Sequence, residues 1–219
     1  MASSIIVINP NSSQTVTSGL DTALEPLRMP SGPEIRCLTL TEGPPGIQSQ
    51  ADVESVTLPL AALAKSLEHE AAAFVIACFS DPGVHVVREA VKKPVLGIAE
   101  SGVLTALTMG QKFGVIAILK TSIARHMRLW GAMGVMDRLA GERAIDMSVA
   151  ELSDRKKTLD RMIEVGTHLR DEKDANVIVM GCAGMAPLRG ALQDALQIPV
   201  VEPTQAATAM ALGRVRLGW

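Results

Sequence analysis

The stretch FVIACFSDPGV at 74–84 returns as VIVMGCAGMAP at 177–187, and its surroundings return with it. Each copy is a strand-sized apolar run, then a cysteine, then a turn of small residues, and Cys78 stands opposite Cys182 at an offset of 104. KPVLGIAESG (93–102) answers IPVVEPTQAA (198–207) at 105. SIIVINPNSS (4–13) answers FGVIAILKTS (113–122) at 109, and EIRCLTL (34–40) answers ERAIDMS (142–148) at 108. Any alternating α/β chain resembles itself when shifted. Here cysteines and prolines coincide as well as hydrophobicity, so the chain reads as one unit used twice.

Each unit alternates short β-branched runs with longer helical patterns, which predicts parallel sheets with crossover helices. Strands are expected at 4–8, 34–40, 73–78, 94–98, 113–119, 143–149, 176–181 and 199–201. Helices are expected at 12–27, 52–70, 83–91, 102–109, 122–130, 154–170, 186–196 and 204–216. The expected fold is α/β, with two pseudo-symmetric lobes, each a four-stranded parallel sheet flanked by helices. Residues 1–97 with 204–219 make the first lobe and 98–203 the second, with the active site in the cleft between them.

Composition removes several function classes. A net charge of −2 with no basic run, and only three Phe, two Trp and no Tyr, offers nucleic acid neither a charged face nor rings for stacking. The apolar runs are strand-sized, so no membrane helix is expected, and MASSIIVINP lacks the basic start of a signal peptide. Three widely spaced cysteines argue against a disulfide framework and for reduced thiols in the cytoplasm. With few rings available, a small polar ligand held by backbone amides is favoured over a large flat cofactor.

Ligands of open parallel sheets bind beyond the carboxyl ends of the strands. That rule selects four loops: NPNSS (9–13), CFSDPG (78–83), LKTS (119–122) and GCAGM (181–185). Helix starts there present unpaired N–H groups and a positive dipole end, suited to carboxylates, imides or oxyanions. The same setting is expected to lower the pKa of Cys78 and Cys182. Two thiols facing one ligand allow one to take a proton from carbon while the other delivers one to the opposite face, as stereochemical inversion requires. Neither a metal nor another cofactor is needed. Cys37, inside EIRCLTL, reads as core, and Asp81 with Pro82 as the cap and start of the following helix. Asn11, Ser12, Ser13 and Ser122 suit capping and ligand binding equally. His69, His85, His126 and His168 lie at no metal-ligand spacing and read as surface or internally satisfied residues, and Met185 as filler close enough to Cys182 to line a pocket.

VINPNSS, ACFSDPG, PVLGIAE and MGCAGMA together resemble the aspartate/glutamate/hydantoin racemase superfamily over nearly the whole chain, and most of all its hydantoin racemase branch, which includes allantoin racemases. The resemblance implies a cofactor-independent racemase acting on the C5 carbon of 5-substituted hydantoins, with a hydantoin-like ring as substrate and frequent homo-oligomerisation. It also implies roles: Cys78 and Cys182 as the proton-transferring pair, and Asn11 and Ser12 as ring-binding residues. Phe79, Ser80, Ala183 and Gly184 would supply contacts beside the sulfurs, and Ile47 a cover for the pocket; Ser122, selected by its loop alone, is taken as a further substrate contact. Gln48 departs from the acidic residue expected in many relatives. Aspartate or glutamate racemisation is disfavoured because the site loops carry no Arg and only Lys120 comes near. Arylmalonate decarboxylation needs one cysteine, whereas maleate isomerisation uses two and stays open. A non-catalytic two-lobed binder of small anions has no need of thiols on both sides. Cys37→Ser is expected to leave turnover largely intact while lowering thermal stability through a buried hydroxyl, as activity and melting measurements would report.

Overall fold

The computed structural model describes residues 4–219. The first sheet contains β1 (Ser4–Asn9), β2 (Ile35–Thr39), β3 (Ala71–Ile76) and β4 (Val95–Gly97), in the order β2-β1-β3-β4. The second contains β5 (Phe113–Ala117), β6 (Leu139–Ala144), β7 (Val177–Gly181) and β8 (Val200–Val201), in the matching order β6-β5-β7-β8. All pairings are parallel. The central strands SIIVIN and VIVMG are buried throughout, as helices on both faces require.

Register corrects the repeat in two places. Val7 pairs with Cys37 and Val75, and Val115 pairs with Glu142 and Val179. Since Val75 answers Val179, Val7 answers Val115 at an offset of 108 rather than 109, and Cys37 answers Glu142 at 105 rather than 108. A slip of one residue turns every side chain to the opposite face. The cores agree: Ile6, Ile8 and Ile76 share one face of the first sheet, and Ile116, Ile118 and Met180 the corresponding face of the second. β6 also starts four residues before its expected position. It is a half-exposed edge strand, LAGERA, so hydrophobicity marks it poorly, and the apolar residues after it lie beyond the paired segment at Asp146, whose φ is 56°.

The helices are α1 (Gln14–Ala23), α2 (Gln50–Ser55), α3 (Thr57–Leu67), α4 (Val84–Ala90), α5 (Ile98–Met109), α6 (Lys120–Met133), α7 (Arg155–Lys173), α8 (Arg189–Leu196) and α9 (Pro203–Leu217). The expected helix at 52–70 is two helices, and the segment before α8 is a 3-10 turn over Ala183–Leu188. Two helices reach across the molecule. α9 sends Ala207 and Ala211 into the core formed by Ile5, Val7, Leu20 and Val75 of the first half. α5 sends Ala99, Val103 and Ala106 to Phe113, Val115, Val177 and Val179 of the second, and the two helices pack on each other. None of the described helices is long and apolar enough to cross a membrane.

Asp81 has a different role from the expected one. Its Oδ1 accepts from the Ala99 N–H at 2.8 Å and its Oδ2 from the Glu100 N–H at 2.9 Å, so it caps α5. The N-cap of α4 is instead Gly83, at a φ of 67° that favours glycine. Asp81 reaches α5 only because residue 97 is glycine: a Cβ there would lie 2.2 Å from the carboxyl carbon. Burial pushes the Asp81 carboxyl up to about 7 against the two N–H bonds and Arg88, which favour its charge. Asp81→Ala is expected to lower stability by about 1–2 kcal/mol, read from the midpoint of urea unfolding at unchanged slope.

Candidate functional site

The carboxyl ends of β3 and β7 open into one small chamber, about 30 Å³ in volume, with Cys78 and Cys182 both in its wall. Each thiol follows the last residues of a buried central strand, so its position is set by the two sheets. Asn11, Ile47, Phe79, Ser80, Ser122, Ala183 and Gly184 line the same chamber. Ser12 does not. It lines a wider adjoining groove of about 550 Å³ that shares Val16, Val149, Ala183 and Gly184 with the chamber. Met185 is also displaced from its expected place, turned wholly into the core with Met180 and Leu192.

Local hydrogen bonding explains how the loops hold this form. The Asn11 Oδ1 accepts from the Ser13 N–H at 2.9 Å and from Asn9 Nδ2 at 3.0 Å, closing the first loop on itself. Ser13 caps α1 through the Val16 N–H. Ser122 is the third residue of α6 and no cap; its hydroxyl accepts from Arg125 Nη2 at 3.2 Å. Gln48 presents its carbonyl to Arg125 Nη1, also at 3.2 Å, and its side chain does not line the chamber.

Two of the chamber's polar residues lie outside the four loops. Arg125, 9% exposed, and His126, 2% exposed, project from α6. The His126 Nδ1 meets Glu142 at 2.5 Å, and because a carboxylate only accepts, Nδ1 is the donor and Nε2 faces Ser80 Oγ at 3.4 Å. Trp130 Nε1 also donates to Glu142, at 3.0 Å, so this deeply buried carboxylate has two donors. The Phe79 ring stands edge-on to both His126 and Trp130. His126 thus fits the internally satisfied reading, yet it borders the chamber. Lys120 is far out on the surface beside Asp146, so the cation at the site is Arg125. The helical stripe Ser122, Arg125, His126, Trp130 was the available signal: an Arg and a His share a spacing with a tryptophan that must be buried. Among the described residues, no group of three His, Cys, Asp or Glu is placed to hold a metal ion.

A family model described as Asp/Glu/Hydantoin racemase matches residues 5–211. A hydantoin racemase of Rhizobium meliloti is 34% identical over 219 residues, covering 98% of this chain and 90% of that protein. Among solved structures, an allantoin racemase from Klebsiella pneumoniae superposes with a TM-score of 0.90 at 30% identity, covering 99% of this chain and 89% of that one. An allantoin racemase from Pseudomonas fluorescens superposes with a TM-score of 0.93 at 25% identity, over 98% and 91% of the two chains.

The thiols are not acidified as their position at loop starts suggests. Burial pushes Cys78 up to about 12 and Cys182 up to about 11. Backbone N–H groups of Ser80 and Gly184 oppose this, and so does Arg125 at Cys78, but desolvation of a buried thiolate outweighs them. Alkylation by iodoacetamide at both cysteines, followed by peptide mass mapping, is expected to keep accelerating above pH 9, the ordinary thiol value. A plateau near pH 8 would show that the N–H groups prevail over burial.

Proposed function

Because the chain belongs to the Asp/Glu/hydantoin racemase family and is an isomerase of racemase type, we propose that it inverts the C5 carbon of 5-substituted hydantoins, allantoin among them, with Cys78 and Cys182 as paired acid and base. The observation that carries this reading is that both thiols border one chamber from equivalent strand ends. One sulfur, as thiolate, removes the C5 proton. The electron pair passes into the adjacent ring carbonyl, and the other thiol returns a proton to the opposite face. The hydantoin ring makes this attainable without a cofactor, because the carbanion is delocalised over the carbonyl beside C5. The wider groove next to the chamber offers room for the C5 substituent. The free cysteines suit a reducing cytoplasm, and the working form is read as a homo-oligomer on the resemblance.

Arg125 supplies a cation that the loops lack, and it favours a second reading, racemisation of free aspartate or glutamate. One experiment separates the two. Single enantiomers of several 5-substituted hydantoins, of allantoin, of aspartate and of glutamate are incubated with the protein in deuterated water. Loss of optical rotation with exchange at C5 is expected for the hydantoins. Turnover of the amino acids alone would overturn the first reading in favour of the second. Cys78→Ser and Cys182→Ser are each expected to abolish racemisation while leaving one-sided deuterium exchange. Full racemisation by Cys182→Ser would exclude the two-base scheme.

A further inference from the structure

Arg125 is a buried cation with donors to spare. Among the described residues its Nη1 donates to the Gln48 and Thr121 carbonyls, both at 3.2 Å, and its Nη2 to Ser122 Oγ at the same distance. Its Nε is buried and has no partner. A guanidinium carries five N–H donors, so these three bonds hold its plane while leaving part of its edge unused. Among the described residues no carboxylate lies within ion-pair distance, and none lines the chamber. The carboxylates nearest to it in effect, Asp52 and Glu142, are already engaged: Asp52 with the Gln48 and Ser49 N–H groups, Glu142 with His126 and Trp130. A buried charge without a counter-charge is costly, and an orphaned buried donor adds to that cost. The opposing helix α1 gives the chamber only Val16, so the positive charge comes from one side alone.

We infer that Arg125 is the anion-holding residue of the chamber, and that its guanidinium receives the negative charge formed on the ring carbonyl oxygen when a thiolate takes the C5 proton. This rests on the reading of the site as a hydantoin racemase. In the first step the C5–H bond breaks, an S–H bond forms and the C–H electron pair moves to the carbonyl oxygen beside Arg125. In the second the S–H bond of the other cysteine breaks, a C5–H bond forms on the opposite face and the electron pair returns from oxygen. The charge then rests on the second sulfur. A guanidinium held by three bonds needs little reorganisation to meet an oxyanion, the condition under which such donors act most strongly. Desolvation disfavours the thiolate at both cysteines, and Arg125 is the cation beside them that offsets it for an anion formed in the chamber.

The test compares wild type, Arg125→Met and Arg125→Lys on whichever hydantoin is turned over. The Met variant is expected to lose about 10²–10³-fold in kcat, as for removal of one oxyanion donor, with KM little changed. The Lys variant is expected to keep part of the rate, and added guanidinium ion to restore part of it to the Met variant. A kcat within about threefold of wild type in a folded Met variant, judged by its melting, would overturn the inference. A second measurement needs no racemase activity: the ratio of iodoacetate to iodoacetamide labelling at Cys78, by peptide mass mapping. Arg125 is expected to favour the anionic reagent at Cys78 relative to Cys37 of the same molecule, and Arg125→Met to remove that preference. Equal ratios at both cysteines of the wild type would overturn anion holding even if the Met variant failed to fold. A clear preference in a protein that racemises no hydantoin would overturn the proposed function and leave the anion site standing.

Discussion

The site depends on two helices, α5 and α9, being buried between the sheets. Each follows the last strand of one sheet and packs on the other half of the molecule, and the two pack on each other. Their buried residues are mostly small: Ala99, Gly102, Val103 and Ala106 on one, Ala206, Ala207 and Ala211 on the other. Small residues let the helix axes approach closely, and a well-packed core deforms little. Because the contact is shared, neither sheet turns without disturbing the other. The carboxyl ends of β3 and β7 are thereby held toward one chamber, and two sulfurs from opposite halves share it.

Burial inside this frame sets the charges. Glu202, buried, and Asp81, half-buried, are two carboxylates with one structural answer: Asp81 accepts the N–H groups that open α5, and Glu202 those that open α9. Each therefore meets the positive end of a crossover helix, and burial raises both pKa values even so. Glu142 is satisfied through His126 and Trp130. Arg125 is the exception, held in position by neutral acceptors without a carboxylate. It is the one charged side chain in the chamber wall without an ion-pair partner among the described residues.

Particular residues show how far the sequence was readable. Cys78 and Cys182 were visible because each ends an apolar run before a turn, and parallel sheets place such ends together. Asn11, Ile47, Phe79, Ser80, Ser122, Ala183 and Gly184 followed from the loops and the family resemblance, and all border the chamber. Arg125 was not legible from the loops because it projects from inside α6, and His126, legible as an internally satisfied histidine, borders the chamber only through the inward face of the same helix. Asp81 was assigned to the wrong helix, since the cap it makes is 18 residues away in sequence and depends on Gly97 leaving space.

By itself the sequence determined the alternation of strand and helix, the duplication and the two matched cysteines, because these rest on local hydrophobic period and on residue identity. Only the tertiary structure decided the register of the repeat, because one residue of slip changes which face is buried while hardly changing a hydrophobic profile. It likewise decided how far the thiols are desolvated, an effect that opposes the one the sequence pattern suggested. Proximity to helix starts and N–H groups is a local property and favours the thiolate. Desolvation depends on what the other half of the chain places over the sulfur, and in this fold it is the larger effect.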